Sequence, residues 1–204
     1  MAASNPQDAL AHFKEILEWD WQADTSADGI SIMKHDYPDS SIAAFYGEQV
    51  VDGNARKFGD ILWNGDLAMY KRWDSKCLDW RVVEQLNDDS RVEYTLQELP
   101  WPVWNRDFVH IHSRTEEDGK IYQWYVVTTH DDCPEKPKDY VRGKVSIAGW
   151  VLSPADGKSL DDCTKTKMQR AFHISPEGSI PGWLVTKLAA KQVAGLLTSL
   201  AKEI

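Results

Sequence analysis

The sequence predicts an α+β domain, an antiparallel sheet with a long C-terminal helix laid across it. Three observations carry that expectation. From Trp80 to Ile174, apolar residues return at every second position in one segment after another, the spacing of strands with two unlike faces. Helical spacing is confined to the two ends and to one stretch after Asn54. A run of strands closed by a helix, without β–α alternation, belongs to mixed folds with an antiparallel sheet. No internal repeat, linker or low-complexity tract divides the chain, so residues 1–204 read as one domain, long enough for a continuous core.

The first element is a helix. Asn5 is its expected cap, Pro6 suits the first helical position, and Leu10, Phe13, Ile16 and Leu17 recur at helical spacing. It ends before the polar stretch 24–29. Residues 30–35 and 42–51 read as two strands around the turn Tyr37-Pro38-Asp39-Ser40. After Asp52-Gly53, Asn54 caps a helix carrying Phe58, Ile61 and Leu62.

Five further strands follow. In residues 91–98, Val92, Tyr94 and Leu96 share one face and Glu93, Thr95 and Gln97 the other. Val109 and Ile111 alternate with Phe108, His110 and His112. Residues 121–130, 141–152 and 164–174 complete the set, separated by punctuation at Glu117-Asp118-Gly119, 131–139 and 153–162. The middle connection is longer than a hairpin needs. Pro176-Glu177-Gly178 breaks the last strand, and Pro181 opens the terminal helix to about Lys202. Its apolar stripe is Val185, Leu188, Ala189, Val193, Leu196, Leu197 and Leu200, with Lys187, Lys191 and Lys202 facing elsewhere. Gly195 weakens that helix by about 1 kcal/mol relative to alanine, for close packing or for pliability.

Composition narrows the function. Hydrophobic residues make up 42% and charged residues 27% of the chain, a globular balance that excludes disorder as the main state. Apolar runs are too short for a membrane span and no signal segment opens the chain, so a cytoplasmic protein is expected. Lys and Arg number 23 against 32 Asp and Glu, a net charge of −9. Without a basic stripe, nucleic acid is not an expected partner. Three scattered cysteines without a C-x-x-C pair argue against a disulfide framework and structural zinc.

Little points to catalysis. His110 and His112 share one strand face, a possible start of a metal site with His130 or His173, but nothing brings a third ligand near, and no metal or cofactor is expected. Cys133 follows His130 closely, yet the adjacent carboxylates Asp131 and Asp132 raise a thiol pKa rather than lower it. No G-x-S-x-G, phosphate-binding loop or dinucleotide fingerprint is present. Two features stand out instead. Ten tryptophans exceed ordinary usage; a tryptophan-rich core and an opening pocket or membrane contact both account for them. Arg170 shares the even, apolar face of its strand with Met168 and Phe172. It is read either as a strand-end residue whose head reaches water, or as a buried guanidinium awaiting an anionic or hydroxyl-bearing ligand.

Several motifs are more specific in combination. Pro102-Val103-Trp104-Asn105-Arg106-Asp107-Phe108-Val109 resembles the P-x-x-x-R-D-F-V strand of the START family, the StAR-related lipid transfer domains. Trp73-Asp74, Tyr140-Val141-Arg142-Gly143 with Gly149-Trp150, and Pro176-Glu177-Gly178-Ser179-Ile180-Pro181-Gly182-Trp183-Leu184-Val185 resemble further motifs of that family, in its order. The resemblance is detailed from about Lys57 to Ala201.

It implies a helix-grip fold, in which a curved antiparallel sheet wraps the C-terminal helix and encloses a hydrophobic cavity. It also implies non-catalytic binding of one phospholipid or sterol and its transfer between membranes, gated by the terminal helix and an Ω-loop at residues 131–142. The expected partners are the lipid and, transiently, a membrane surface, and a monomer is expected. Phe108, His110 and His112 would face the cavity, with Val109 and Ile111 behind. Where sterol-carrying members pair an arginine with an acid, this chain has His112 and Glu93, a pH-sensitive anchor. Tyr70 stands where phosphatidylcholine-carrying members have an arginine. Ser146, Met168, Arg170 and Phe172 would contact the lipid from the later strands, and Leu184 and Leu188 from the helix. Trp101 and Trp183 complete the lipid-contacting set, Trp183 at a bilayer interface. The alternatives on the same fold are a cyclase-like or hydrolytic pocket using His110, His112 and Glu93, and a ligand-sensing module.

Overall fold

Residues 6–204 are described by a computed structural model. In chain order they form α1 (Pro6–Leu17), β1 (Gln22–Ala27), β2 (Ile30–His35), β3 (Ala44–Asp52), α2 (Ala55–Asn64), α3 (Leu67–Trp73), β4 (Cys77–Asn87) and β5 (Ser90–Gln97). Then come β6 (Arg106–Glu117), β7 (Lys120–Val127), β8 (Val141–Arg142), β9 (Lys144–Pro154), β10 (Lys165–Ser175) and α4 (Gly182–Leu200). Asn5, the expected cap of α1, lies outside the described residues.

The strands make one sheet in the order β1-β2-β3-β10-β9-β7-β6-β5-β4, with β8 paired to β6 in parallel and every other pair antiparallel. The last strand therefore sits in the middle, between β3 and β9. Local chemistry sets the turns. The β1–β2 and β6–β7 hairpins each turn on an Asp-Gly pair, Asp28-Gly29 with φ of 50° and 79° and Asp118-Gly119 with 51° and 68°. Two consecutive positive φ values match the right-handed twist of the flanking strands. The side chain of Asn54 accepts the Lys57 amide at the start of α2, as expected, and that of Asp66 accepts the Met69 amide at the start of α3.

Each face of the sheet carries its own core. On the inner face Ile32, Phe45, Trp150, Met168 and Phe172 join Val193, Ala194 and Leu197 of α4 and Phe58 and Leu62 of α2. On the outer face Tyr46, Trp124, Ile147 and Ala171 receive Ala9, Phe13 and Ile16 of α1. Two glycines set these distances. A Cβ on Gly47 would come within 2.6 Å of Val193, and one on Gly149 within 2.4 Å of Phe13, so glycine lets α4 settle on β3 and α1 on β9. A third cluster, Val92, Tyr94 and Val109 with Cys133, lies beneath the 131–142 loop.

The α+β architecture, the single sheet and the terminal helix are as the sequence predicts. Two strands, β1 and β4, are additional, and the strand expected at 141–152 is split into β8 and β9. β1 is a largely exposed edge strand, β4 is the other edge and is interrupted by register shifts, and β8 spans two residues. α3 is a separate helix. The stripe of α4 is buried from Ala189 to Leu200, whereas Val185 and Leu188 are only half-buried. A Cβ on Gly195 would meet nothing within 4 Å, so close packing is not the reason for that glycine.

Candidate functional site

The pairing of β5 with β6 sets Glu93 opposite His110 and Arg91 opposite His112. All four side chains are buried. Glu93 Oε1 accepts from Arg91 Nε at 2.6 Å and from His112 Nδ1 at 2.8 Å, while Oε2 accepts from Trp80 Nε1 at 3.1 Å and His110 Nε2 at 3.3 Å. A carboxylate offers about four acceptor positions, so this one is filled by the protein itself. Burial alone would raise the Glu93 pKa; the charges and hydrogen bonds of His112 and His110 outweigh it and hold the carboxyl well below the usual range.

The chain of contacts continues to α2. His112 Nε2 lies 3.0 Å from Gln123 Oε1, and Gln123 Nε2 donates to the Gly59 carbonyl at 2.7 Å. The Trp63 ring takes Arg91 at 4.2 Å and Arg114 at 4.4 Å over its π face. Glu93 and His112 thus pair as the sequence suggests, but as the centre of a satisfied network rather than an anchor awaiting a ligand.

Arg170 is different. On β10 it lies between Gly47 of β3 and Trp150 of β9, 8% exposed and on the inner face with Met168 and Phe172. Its guanidinium carbon is 4.9 Å from the Trp150 ring centre, 5.6 Å from Tyr125 and 5.9 Å from Phe172. Nε and Nη1 have no hydrogen-bond partner. Burial draws the guanidinium below its usual range, and the opposing influence of Tyr125, Tyr70 and Asp74 does not offset it. Two other buried polar atoms are unpaired, His110 Nδ1 and Trp73 Nε1. His110 meets the Tyr125 ring edge-on at 5.3 Å, and Trp73 lies 4.7 Å from the Tyr70 ring.

A third assembly joins the 131–142 loop to the sheet. Where β7 leaves β6 at Val127, the chain crosses the outer face and returns as β8, with Val141 opposite Arg106. Asp107, fully buried, accepts Arg142 Nε at 2.9 Å and Nη2 at 2.7 Å. The neighbouring Arg106 donates to the Pro176 carbonyl at 2.6 Å, to that of Glu177 at 3.0 Å and to that of Trp104. Adjacent residues of one strand therefore fasten the end of the 131–142 loop and the turn that leads into α4. Between loop and turn lies a cleft of about 240 Å³ lined by Tyr140, Arg142, Lys144 and Glu177. A second, of about 330 Å³, is lined by Arg56, Asp60, Asp89 and Arg114. Neither lies between α4 and the sheet, where the resemblance places the cavity; apolar side chains of both elements face each other there.

Not every sequence-predicted site residue reaches the interior. Trp101 and Trp183 are 93% and 70% exposed, one on the loop before β6 and one in the first turn of α4, because neither segment has a sheet face to cover it. Leu184 and Leu188 are half-buried, and Ser146 sits at the break in register between β9 and β10. Tyr70 is buried, stacked at 4.5 Å on Trp80 with its hydroxyl donating to the Leu62 carbonyl at 3.3 Å. Phe108, His110, His112, Met168, Arg170 and Phe172 all contribute to the inner side. His130 faces Glu84 and His173 faces Ser40, so neither joins His110 and His112, and Cys133 is buried beneath its loop away from the His130 ring nitrogens. Arg91, Gln123 and Tyr125 were not anticipated. Gln123 and Tyr125 share one strand face with Ile121, and a glutamine on such a face is the same kind of signal as Arg170.

A sheet gripping a C-terminal helix, with a buried polar end and two fastened flaps, defines a helix-grip domain. The START domain profile matches residues 18–200. Phosphatidylcholine transfer protein of Mus musculus is 26% identical over 188 residues, 90% of this chain and 83% of that protein. Ceramide transfer protein of Mus musculus is 25% identical over 147 residues, 65% of this chain and 23% of that protein. Human StAR-related lipid transfer protein 5 superposes with a TM-score of 0.82 at 22% identity, covering 96% of this chain and 94% of that one. The chain belongs to the START domain family.

Proposed function

We propose that this protein holds one lipid between the inner face of the sheet and α4 and carries it unchanged from one membrane to another. The observation that carries this reading is Arg170, a buried guanidinium with unpaired N–H groups on the inner face beside Met168 and Phe172. Such a group costs free energy until a ligand's polar end meets it. Family membership and the relatives named for phosphatidylcholine and ceramide transfer support the same reading.

The physics of carriage requires enclosure. Exposing a sixteen-carbon chain to water costs ~12 kcal/mol at ~0.8 kcal/mol per methylene, so the protein must cover the chain fully and open only at a membrane. The 131–142 loop and the first turns of α4 are the parts that move, and the interior makes room for the chain as they part. Trp101, Trp104 and Trp183, all exposed, supply the surface that rests on the bilayer, since Arg106 ties the loop bearing the first two to the turn before the third. None of the described helices is long and apolar enough to cross a membrane. The protein acts as a cytoplasmic monomer, and no covalent step is part of its cycle.

The test is transfer of fluorescent lipid from quenched donor vesicles to acceptors. Added protein should raise the rate in proportion to its concentration, and the Trp101→Ala/Trp183→Ala double variant should lower it while the folded structure persists. No acceleration with any phospholipid or sterol would overturn the reading.

A further inference from the structure

The polar end of the interior holds a buried cation that forms no ion pair. Its buried carboxylate, Glu93, is consumed by Arg91, Trp80, His110 and His112. Asp74 also acts on Arg170, but it is engaged by Gln97 at 2.8 Å and by the Lys76 amide at 3.1 Å and forms no ion pair with it. The aromatic faces of Trp150, Tyr125 and Phe172 already surround the guanidinium. What remains is a guanidinium whose Nε and Nη1 are both unpartnered; His110, with its own unpartnered Nδ1, meets the same Tyr125 ring, and Trp73 Nε1–H is also buried without a partner. Since His110 Nε2 faces a carboxylate oxygen, its hydrogen is assigned there, and Nδ1 is left as an acceptor for a hydrogen bond from a ligand hydroxyl.

We propose that Arg170 is the anchor for an acidic lipid head: a single anionic group, phosphate monoester or carboxylate, carrying no cation of its own. The inference rests on the lipid-carrier reading above and narrows its cargo. Three comparisons of chemistry lead to it. An anionic head neutralises the guanidinium and accepts its N–H groups in charge-assisted bonds. A zwitterionic head would bring a second cation next to Arg170, where the acidic side chains are engaged and the aromatic faces taken. A sterol hydroxyl would accept one hydrogen bond and leave the charge buried and unbalanced.

The energetics of the empty protein make the assignment testable apart from binding. A residue kept for the fold weakens it when replaced. A buried unpaired charge kept for a ligand does not, so Arg170→Met should fold at least as stably as the parent. Arg170→Lys keeps the charge and loses the fork, and Arg170→Gln keeps hydrogen bonding and loses the charge.

The experiment incubates purified protein with phosphatidylcholine vesicles containing phosphatidic acid, oleic acid or cholesterol, or with none of these, and counts bound lipids by native mass spectrometry. Thermal unfolding is followed in parallel with inorganic phosphate or acetate alone. The proposal expects retention of phosphatidic or oleic acid over phosphatidylcholine by about tenfold or more, loss of that preference in Arg170→Met and Arg170→Gln, and part of it kept in Arg170→Lys. It also expects an unliganded melting temperature in Arg170→Met no lower than the parent's. Equal loading of phosphatidylcholine or cholesterol, or an unchanged preference in both neutral variants, overturns the acidic-head assignment and leaves the carrier reading standing. Stabilisation by phosphate or acetate matching that by the acidic lipids makes this a small-anion site and also overturns the assignment. Failure to load any lipid overturns both.

Discussion

Asp107 receives both Nε and Nη2 of Arg142, and this one pair closes the 131–142 loop onto β6. The aspartate side chain is 1% exposed and the arginine side chain 13%, so removing one partner strands a buried charge. The backbone follows the side chains: the Val141 amide donates to the Asn105 carbonyl at 3.1 Å and that of Gly143 to the Asp107 carbonyl at 2.9 Å. Arg142→Gln should therefore cost about 3 kcal/mol and speed hydrogen exchange at Val141 and Gly143, with β10 unaffected. Adding Asp107→Asn should recover part of that loss. Unchanged exchange in the single variant would show that the pair does not hold the loop.

Glu93 and Arg170 make opposite predictions for the empty protein. Glu93→Gln removes the charge that Arg91 and His112 face inside the protein, and should cost about 3–5 kcal/mol in denaturant unfolding. A loss below about 1 kcal/mol would mean that the network contributes little to folding.

Gly195 offers a test of helix pliability. With open space around the added methyl, Gly195→Ala should stabilise the protein by about 1 kcal/mol. If α4 must bend as the interior opens, the same change slows lipid transfer between vesicles. Faster or unchanged transfer in a stabilised variant would remove Gly195 from the gating account.

Acid sensitivity follows from His173. Its ring stacks on Tyr37 at 3.7 Å and Nε2 lies 3.0 Å from Ser40 Oγ, and burial lowers its pKa from 6.5 to about 4. The unfolded chain takes up a proton near pH 6.5 that the folded one refuses until about pH 4. Stability is thus highest above pH 6.5 and falls as the pH drops through that window. Buried His112, lowered by burial too, acts in the same direction. Glu93 adds a further loss below its unfolded value of about 4.5. His173→Phe should reduce the slope of unfolding free energy between pH 6.5 and 4 without abolishing it. An identical slope would place the acid sensitivity elsewhere.

Much of this was readable from residues alone, for stated reasons. Arg170 betrays itself by sitting among Met168 and Phe172 on an apolar face, whereas the inward placing of His110 and His112 comes from the family resemblance, since Val109 and Ile111 alone would turn them outward. β1 had a usable signal in Asp28-Gly29, obscured because an exposed edge strand needs no apolar alternation. The Arg91–Glu93 network inverts the usual rule. On β5 the polar face points inward while Val92 and Tyr94 pack beneath a loop, and alternation alone cannot tell which face a loop will cover. The shared duty of Arg106 and Asp107 depends on where two distant segments return, which only the tertiary fold discloses.

The most direct test of the carrier account is native mass spectrometry of the gently purified protein after exposure to mixed vesicles of phosphatidic acid, phosphatidylcholine and cholesterol, with extraction and identification of what is bound. The account predicts one lipid per chain, recovered chemically unchanged. A protein that stays at its bare polypeptide mass through that exposure, or releases an altered lipid, would contradict it.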